Sequence, residues 1–268
     1  MPYRGIHSLR SEHDTVDLTD DNRHELDKCK SSVKHFFTNY YLPATPELFG
    51  RQCSIYAQQE SELDMMCSPD DRFVLSDWRN CAGYASIMAA FLMWKAMFTD
   101  NPVSCVIGCV DNDGGKYWFD NYIREQYKNF PKWLQVPVLR WRNDGIRLAN
   151  GSRIFTRLMH AHNFQGIFAD YVFLNDFGNL PPRRAEDFLI AVIPVFCGSA
   201  RSHIYFSSCG PTRKSPVAKK LWEGDNNFRK TTHYWFDEPG LTDEWRDSKL
   251  KVLGNDLFTM EHGPVERP

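Results

Sequence analysis

No stretch of this 268-residue chain approaches the roughly 20 consecutive apolar residues that an α-helix needs to span a bilayer. Its first residues also lack the hydrophobic core of a secretion signal. The expectation is a soluble, intracellular protein. An excess of one charge is missing too: 32 Lys and Arg stand against 34 Asp and Glu, a formal net charge of −2. That balance excludes the strongly basic footprint of a protein that coats nucleic acid non-specifically. The eight cysteines (Cys29, Cys53, Cys67, Cys81, Cys105, Cys109, Cys197, Cys209) include no Cys-x-x-Cys pair. No zinc module is expected, and the thiols read as reduced, mostly buried small apolar groups.

What is present is ordinary globular material. Hydrophobic residues make up 42% and charged residues 25%, enough to build one substantial core and too apolar for a disordered chain. Residues 1–21 are polar and acidic and are expected to form a flexible leader, with one domain over 22–268. From Asn22 a stripe of Leu26, Cys29, Val33, Phe36 and Phe37 predicts a helix that ends before Pro43 and Pro46. A second helix is expected over 52–66. Residues 72–76 predict a strand, and 86–98, apolar almost all round, predict a helix packed on a sheet.

Residues 103–110 predict another strand, closed by Asp-Asn-Asp-Gly-Gly as a chain breaker. A helix over 117–128 follows, then a hairpin over 146–155 turning at Asn150-Gly151. Strands are expected over 171–174 and 203–207, with a helix over 185–192 between them and a last helix over 242–253. Strand, helix and strand in repetition predict an α/β fold with a largely parallel sheet.

In open parallel sheets, ligands bind beyond the carboxyl ends of the strands. Residues 75–86, a strand, a loop and a helix start, form the first such place, and amides at a helix start cradle phosphates. A working phosphate loop needs a lysine on the outer phosphates and a Ser or Thr on magnesium. Here the stretch reads Gly83-Tyr84-Ala85-Ser86, with no lysine and a methyl at the metal-ligating place. Its chemistry alone does not make a nucleotide site.

The order of segments adds to this. DKCKSSVKHFFTNYYL, LFGRQ, DDRFVLSDWRN, FPKWLQ, LANGSRI, Phe164-Gln-Gly166, YVFLND, VIPVFCGSARSHIYFSSCGPT and EPGLTDEWRDSKLKVLGNDLF follow one another along the chain. In this order the chain resembles the large terminase subunit of T4-like tailed phages, the DNA-packaging motor, over its N-terminal ATPase domain. The resemblance implies a P-loop NTPase fold of the ASCE/RecA-like type: a three-layer sandwich with a mostly parallel central sheet and an N-terminal helical segment. It places the adenine-reading glutamine at Gln52 and an early loop arginine at Arg79, with Gly83 in the loop. It also implies that the C-terminal nuclease domain of the family is absent from this chain.

At the catalytic positions the resemblance fails. The family's Gly-Lys-Thr-Thr becomes Gly83-Tyr84-Ala85-Ser86, with Ala82 as an insertion. Its Asp-Glu at the end of the Walker B strand becomes Asn175-Asp176, its Thr-rich coupling motif Ser207-Ser208-Cys209, and its Arg-Gly ahead of Walker B Gln165-Gly166. Phosphoryl transfer is catalysed almost wholly by positioning and charge neutralisation. Losing one preorganised electrostatic contact costs ~10²–10³ in rate, so losing the lysine, the metal hydroxyl and a metal carboxylate together leaves hydrolysis near the solution level. Tyr84, Ala85, Ser86, Asn175, Asp176 and Ser208 are thus degenerate positions, and Tyr84 is expected to fill the phosphate pocket with its ring, the alternative being that it simply packs on the loop.

Other features carry blander readings. Asp111, Asp113 and Gly114-Gly115 read as a turn and not a calcium loop. His160 and His162 read as a loop pair and not metal ligands. Arg140, Arg142, Arg147, Arg153 and Arg157 cluster with Trp141, either as a solvated face or as a surface that follows a phosphate backbone or meets an acidic partner. Arg213, Lys214, Lys219, Lys220, Arg229 and Lys230 form a second, interrupted basic stretch.

The expectation is a pseudo-ATPase that acts by binding a terminase, a portal, another viral or host protein, or DNA, in the host cytoplasm or on the virion. No cofactor, metal or membrane partner is expected. Two alternatives stand beside it: a divergent active packaging ATPase using ATP and magnesium with its nuclease on another chain, and a nucleic-acid-binding module.

Overall fold

The computed structural model describes residues 9–10, 13–41, 55–79 and 83–267. In chain order, α1 (Asp20–Ser31) and α2 (Val33–Tyr40) precede α3 (Ala57–Cys67) and β1 (Phe73–Trp78). Next come α4 (Tyr84–Phe98), β2 (Ser104–Cys109), α5 (Asn112–Trp118), a π-helical segment (Phe119–Arg124) and α6 (Glu125–Asn129). Three strands follow, β3 (Val138–Arg142), β4 (Gly145–Leu148) and β5 (Arg153–Leu158), then α7 (Ala161–Phe164) and β6 (Tyr171–Leu174). The chain ends through α8 (Pro182–Ala191), α9 (Ile193–Cys197), β7 (His203–Phe206), α10 (Pro216–Glu223), β8 (Arg229–His233) and α11 (Asp243–His262). Among the described residues no helix is long and apolar enough to cross a membrane.

The strands form one sheet in the order β3-β4-β5-β2-β6-β7-β1-β8. It is mostly parallel: β2 runs parallel to β5, and β1 runs parallel to both β7 and β8. At one end β3, β4 and β5 are antiparallel. This is the α/β architecture that the alternation of strand and helix in the sequence predicts.

Two compact units divide the chain. The first holds residues 1–55, 85–158 and 166–172. Its centre is α4, in which Ile87 to Met93 are buried without a break, as its apolar circumference requires. Phe36 packs edge-on against Phe98 and Phe130, at centroid distances of 5.5 and 5.3 Å, and burying one such ring contributes about 1.5–3 kcal/mol. The second unit holds residues 56–84, 159–165 and 173–268. There Phe177 packs edge-on against Phe206 at 5.0 Å, Phe164 against Phe188 at 4.8 Å, and the buried Trp235 donates to Pro264 O at 2.7 Å.

Four local expectations change. The single helix expected from Asn22 is two, because Ser32 turns extended (φ −145°, ψ 112°) and its hydroxyl accepts from His35 N to start α2. The Asp-Asn-Asp-Gly-Gly run does not break the chain: Asp111 caps α5 by accepting from Gly114 N at 2.6 Å. Gly115 lies inside that helix because a Cβ there would sit 3.3 Å from Cys109 Cβ.

In the stretch expected as a flexible leader, Arg10 is tied down. Its N–H donates to Gln135 Oε1, its guanidinium to Gln135 O, and its carbonyl accepts from Val138 N. Finally, β3 and β8 were not anticipated, because they are the two edges of the sheet: β8 is polar throughout, and in β3 two arginines interrupt the apolar residues. The hairpin at Asn150-Gly151 forms as expected, pairing Ile146 with Ile154 and Arg147 with Arg153.

Candidate functional site

The second unit carries the loop after β1. Gln52, the expected adenine reader, lies outside the described residues, as do 80–82. Ser76, Asp77 and Trp78 close β1 and are all buried. Asp77 accepts from Thr212 Oγ1 at 2.8 Å, Arg213 Nε at 3.0 Å and Tyr234 OH at 3.2 Å. Arg213 also donates to Trp78 O and Met260 O. Arg213 therefore does not belong to a solvated basic stretch; it is the buried counter-ion of Asp77. No sequence signal marked this pair, whose members stand 136 residues apart.

Arg79 follows at the mouth of β1. Its N–H donates to His233 O, and its guanidinium is paired with Glu238, the two side chains being 7% and 14% exposed. The loop cation thus already has a carboxylate. His233 stacks on Trp78 at 4.8 Å, and among the described residues neither of its ring nitrogens finds a hydrogen-bond partner. Burial and the nearby Arg79 charge push its pKa down to about 4, so it stays neutral.

Gly83 takes a left-handed conformation (φ 81°), and Tyr84 begins α4. The Tyr84 ring packs between Trp78 (5.1 Å) and Phe173 (6.0 Å), with 7% of the residue exposed. Its hydroxyl lies 2.8 Å from Ser76 Oγ. Ser76 is a hub: its hydroxyl also reaches Glu62 Oε1 at 3.3 Å and accepts from Thr231 Oγ1 at 3.0 Å. Glu62, on α3, is 2% exposed, and desolvation pushes its pKa up to about 7. Desolvation and the Glu62 charge likewise drive the Tyr84 hydroxyl upward. The ring thus serves as core, its polar end joined to a buried cluster of Glu62, Ser76 and Thr231.

At the ends of β6 and β7 the positions expected to hold the Walker B and coupling motifs meet. Asp176 Oδ1 accepts from Ser208 Oγ and Oδ2 from Asn175 Nδ2, both at 2.8 Å, while Asp176 N donates to Ser207 Oγ at 2.8 Å. Asp176 (φ 54°) and Ser208 (φ 55°) are, among the described residues, the non-glycine positions with positive φ. Such conformations persist where surrounding structure over-determines them. The packing is close: a Cβ on Gly178 would lie 1.7 Å from Ser208 O. His160 and His162 stack at 5.4 Å, and desolvation together with Arg184 lowers the His160 pKa.

The first unit carries the arginine cluster. Strand register places Arg140 opposite Arg147, and Arg147 opposite Arg153, in one row across β3, β4 and β5. On the same face Arg142 stands opposite Gly145, and Gly145 opposite Phe155. Trp141 does not join them. It pairs with Ile146 on the other face, where its ring packs at 6.1 Å from Tyr127 and under Arg124. Strand alternation separates it from its neighbours in sequence. Arg157 is bound to Asp144 at 2.8 Å, and Arg153 to Ser104 Oγ at 2.8 Å and Phe168 O at 3.3 Å. Arg140, Arg142, Asp144, Gly145, Arg147, Phe155 and neighbouring residues line an open cavity of about 390 Å³.

Elsewhere in this unit Glu25, Cys29 and His35 bring ligand-type atoms within 4.8 Å of one another. The 2.5 Å contact between His35 Nε2 and Glu25 Oε1 accounts for that approach.

The fold is mixed α/β on a mostly parallel eight-stranded sheet, with α4 following β1 and Asp176 lying two residues beyond the end of β6. No protein-family profile and no curated protein sequence matches the chain. Solved structures do match its fold. The large terminase ATPase domain of Thermus phage P74-26, in an arginine-to-alanine variant, has a TM-score of 0.60 at 14% identity, over 88% of this chain and 99% of that one. The same domain without that substitution has 0.56 at 14% identity, over 83% and 98%. The large terminase of a thermophilic bacteriophage in complex with ADP has 0.56 at 16% identity, over 78% and 52%. The chain spans about half the length of that terminase. At such identities the likeness establishes the fold, that of terminase ATPase domains.

Proposed function

We propose that this chain is a phage terminase-type ATPase domain that works by binding another molecule and not by hydrolysing ATP. The observation that carries the reading is the Arg79–Glu238 pair: the one cation retained from the family's loop is neutralised and nearly buried. The residues present fit magnesium triphosphate poorly. The place of the lysine holds a ring bonded into the core. Asn175 offers a neutral amide where a hard cation prefers carboxylates, and both oxygens of Asp176 already accept hydrogen bonds. On this reading the partner is a terminase, a portal, another viral or host protein, or DNA, met in the host cytoplasm or on the virion.

Thermal melts with magnesium and ATP test it. A ligand present at about 100 times its Kd stabilises a protein by about 2.7 kcal/mol, so a clear rise in Tm that is lost on Arg79→Gln would overturn the reading; no shift that depends on Arg79 is expected. A second reading, an active divergent ATPase, draws on the carboxylate that Asp176 keeps at the end of β6. It requires phosphate release above a buffer blank, abolished by Asp176→Asn.

A further inference from the structure

Like charges directly opposite on neighbouring strands destabilise a sheet. Yet Arg140, Arg147 and Arg153 stand in one row, about 5 Å from strand to strand. All three are exposed, as is Arg142. Among the described residues no carboxylate or carbonyl accepts from the guanidiniums of Arg140, Arg142 or Arg147. Asp144 offsets Arg157 alone. The opposite face of these strands is buried through Ile146, Leu148 and Ile154, so the register that forms the core also forces the arginines together.

We propose that the cavity they line is an anion site for a compact oligophosphate, a ligand with two or more adjacent phosphoryl groups. This goes beyond the reading above, which names a macromolecular partner, and stands on the geometry of the arginine row. Three observations point to phosphate chemistry of small size. Every basic group lining the cavity is an arginine, whose planar fork matches phosphate oxygens two at a time. The volume of about 390 Å³ lies in the range of small-ligand sites. The aromatic ring of the lining, Phe155, already carries the guanidiniums of Arg153 and Arg157 over it, at 5.1 and 4.8 Å. It is therefore no free platform for stacking a base, the feature that single-strand binders rely on. Gly145, lacking a side chain between Arg142 and Phe155, keeps the floor of the cavity open.

Titration calorimetry of the whole chain with inorganic tripolyphosphate tests the assignment. One equivalent is expected to bind, more weakly as salt rises. Arg147→Gln is expected to weaken binding by about 10–100-fold, the equivalent of one charge-assisted hydrogen bond. Because Arg147 is exposed, this variant folds, and with one like charge gone its ligand-free Tm is expected to rise. Absence of binding, or binding indifferent to both Arg147→Gln and Arg140→Gln, overturns the proposal. Tighter binding of duplex DNA than of tripolyphosphate at the same salt, lost on Arg147→Gln, overturns it in favour of a nucleic-acid interface. ATP binding that survives Arg147→Gln but is lost on Arg79→Gln would instead sink the functional reading and leave this site standing.

Discussion

The guanidinium of Arg79 and the carboxylate of Glu238 form an ion pair that is almost wholly withdrawn from solvent. Breaking a buried pair from one side leaves an uncompensated charge and costs about 3–5 kcal/mol, whereas replacing both partners by apolar groups is often neutral. Arg79→Met alone is expected to destabilise by that amount, and Arg79→Met with Glu238→Leu to recover most of it. Urea unfolding of the two single variants and the double variant measures the coupling. Additive losses would mean that the two groups do not compensate each other.

Tyr84, expected from the resemblance to stand where the family has a lysine, is part of the core. Tyr84→Lys is therefore expected to restore no ATPase activity and to lower stability, because the ammonium would be buried between Trp78 and Phe173. Tyr84→Phe is expected to cost about 1 kcal/mol, the net value of its hydrogen bond with Ser76. Phosphate release and melting curves of both variants decide the matter, and turnover by the lysine variant would refute it.

Glu62 and His233 set opposite pH dependences. The folded pKa of Glu62 is raised from 4.5 to about 7, so the stability linked to it is full below pH 4.5 and is lost as pH rises toward 7. The folded pKa of His233 is depressed from 6.5 to about 4, so its linked stability is full above pH 6.5 and is lost as pH falls toward 4. Between pH 4.5 and 6.5 the two oppose each other. Glu62→Gln is expected to stabilise the protein at pH 8 by up to about 3 kcal/mol, and to expose the decline of stability toward acid that His233 causes. Unfolding midpoints at pH 5, 6, 7 and 8 follow both. An unchanged pH profile in the variant would show that Glu62 is not the titrating group.

The two loops that hydrogen-bond Ser208 to Asp176 leave no room at Gly178. Gly178→Ala is expected to destabilise by about 3 kcal/mol or more, since the new methyl meets the Ser208 carbonyl, backbone that cannot swing aside. Chemical denaturation reads the loss. A cost below about 1 kcal/mol, the ordinary effect of a surface change, would show that the two loops separate easily.

Much of the fold was legible in the chain. The alternation of apolar strands and helices gave β1, α4, β2, β6 and β7 close to their observed bounds, because period and burial are local properties. The edges β3 and β8 were not legible, since an edge strand needs no apolar run. Of the candidate site, the missing lysine at Tyr84 and the amide at Asn175 could be read directly. The arginine cluster was also visible, but Trp141 was grouped with it until strand register put the ring on the opposite face.

The amino-acid order by itself determined that the sheet is mainly parallel and that the loop after β1 carries no lysine, because both depend on residues near one another in the chain. Tertiary structure alone decided that Arg79 is neutralised, that Arg213 is the counter-ion of Asp77, and that three arginines share one row. Charge compensation depends on distance in space, and partners brought together from opposite parts of the chain leave no periodic or local trace in the order of residues.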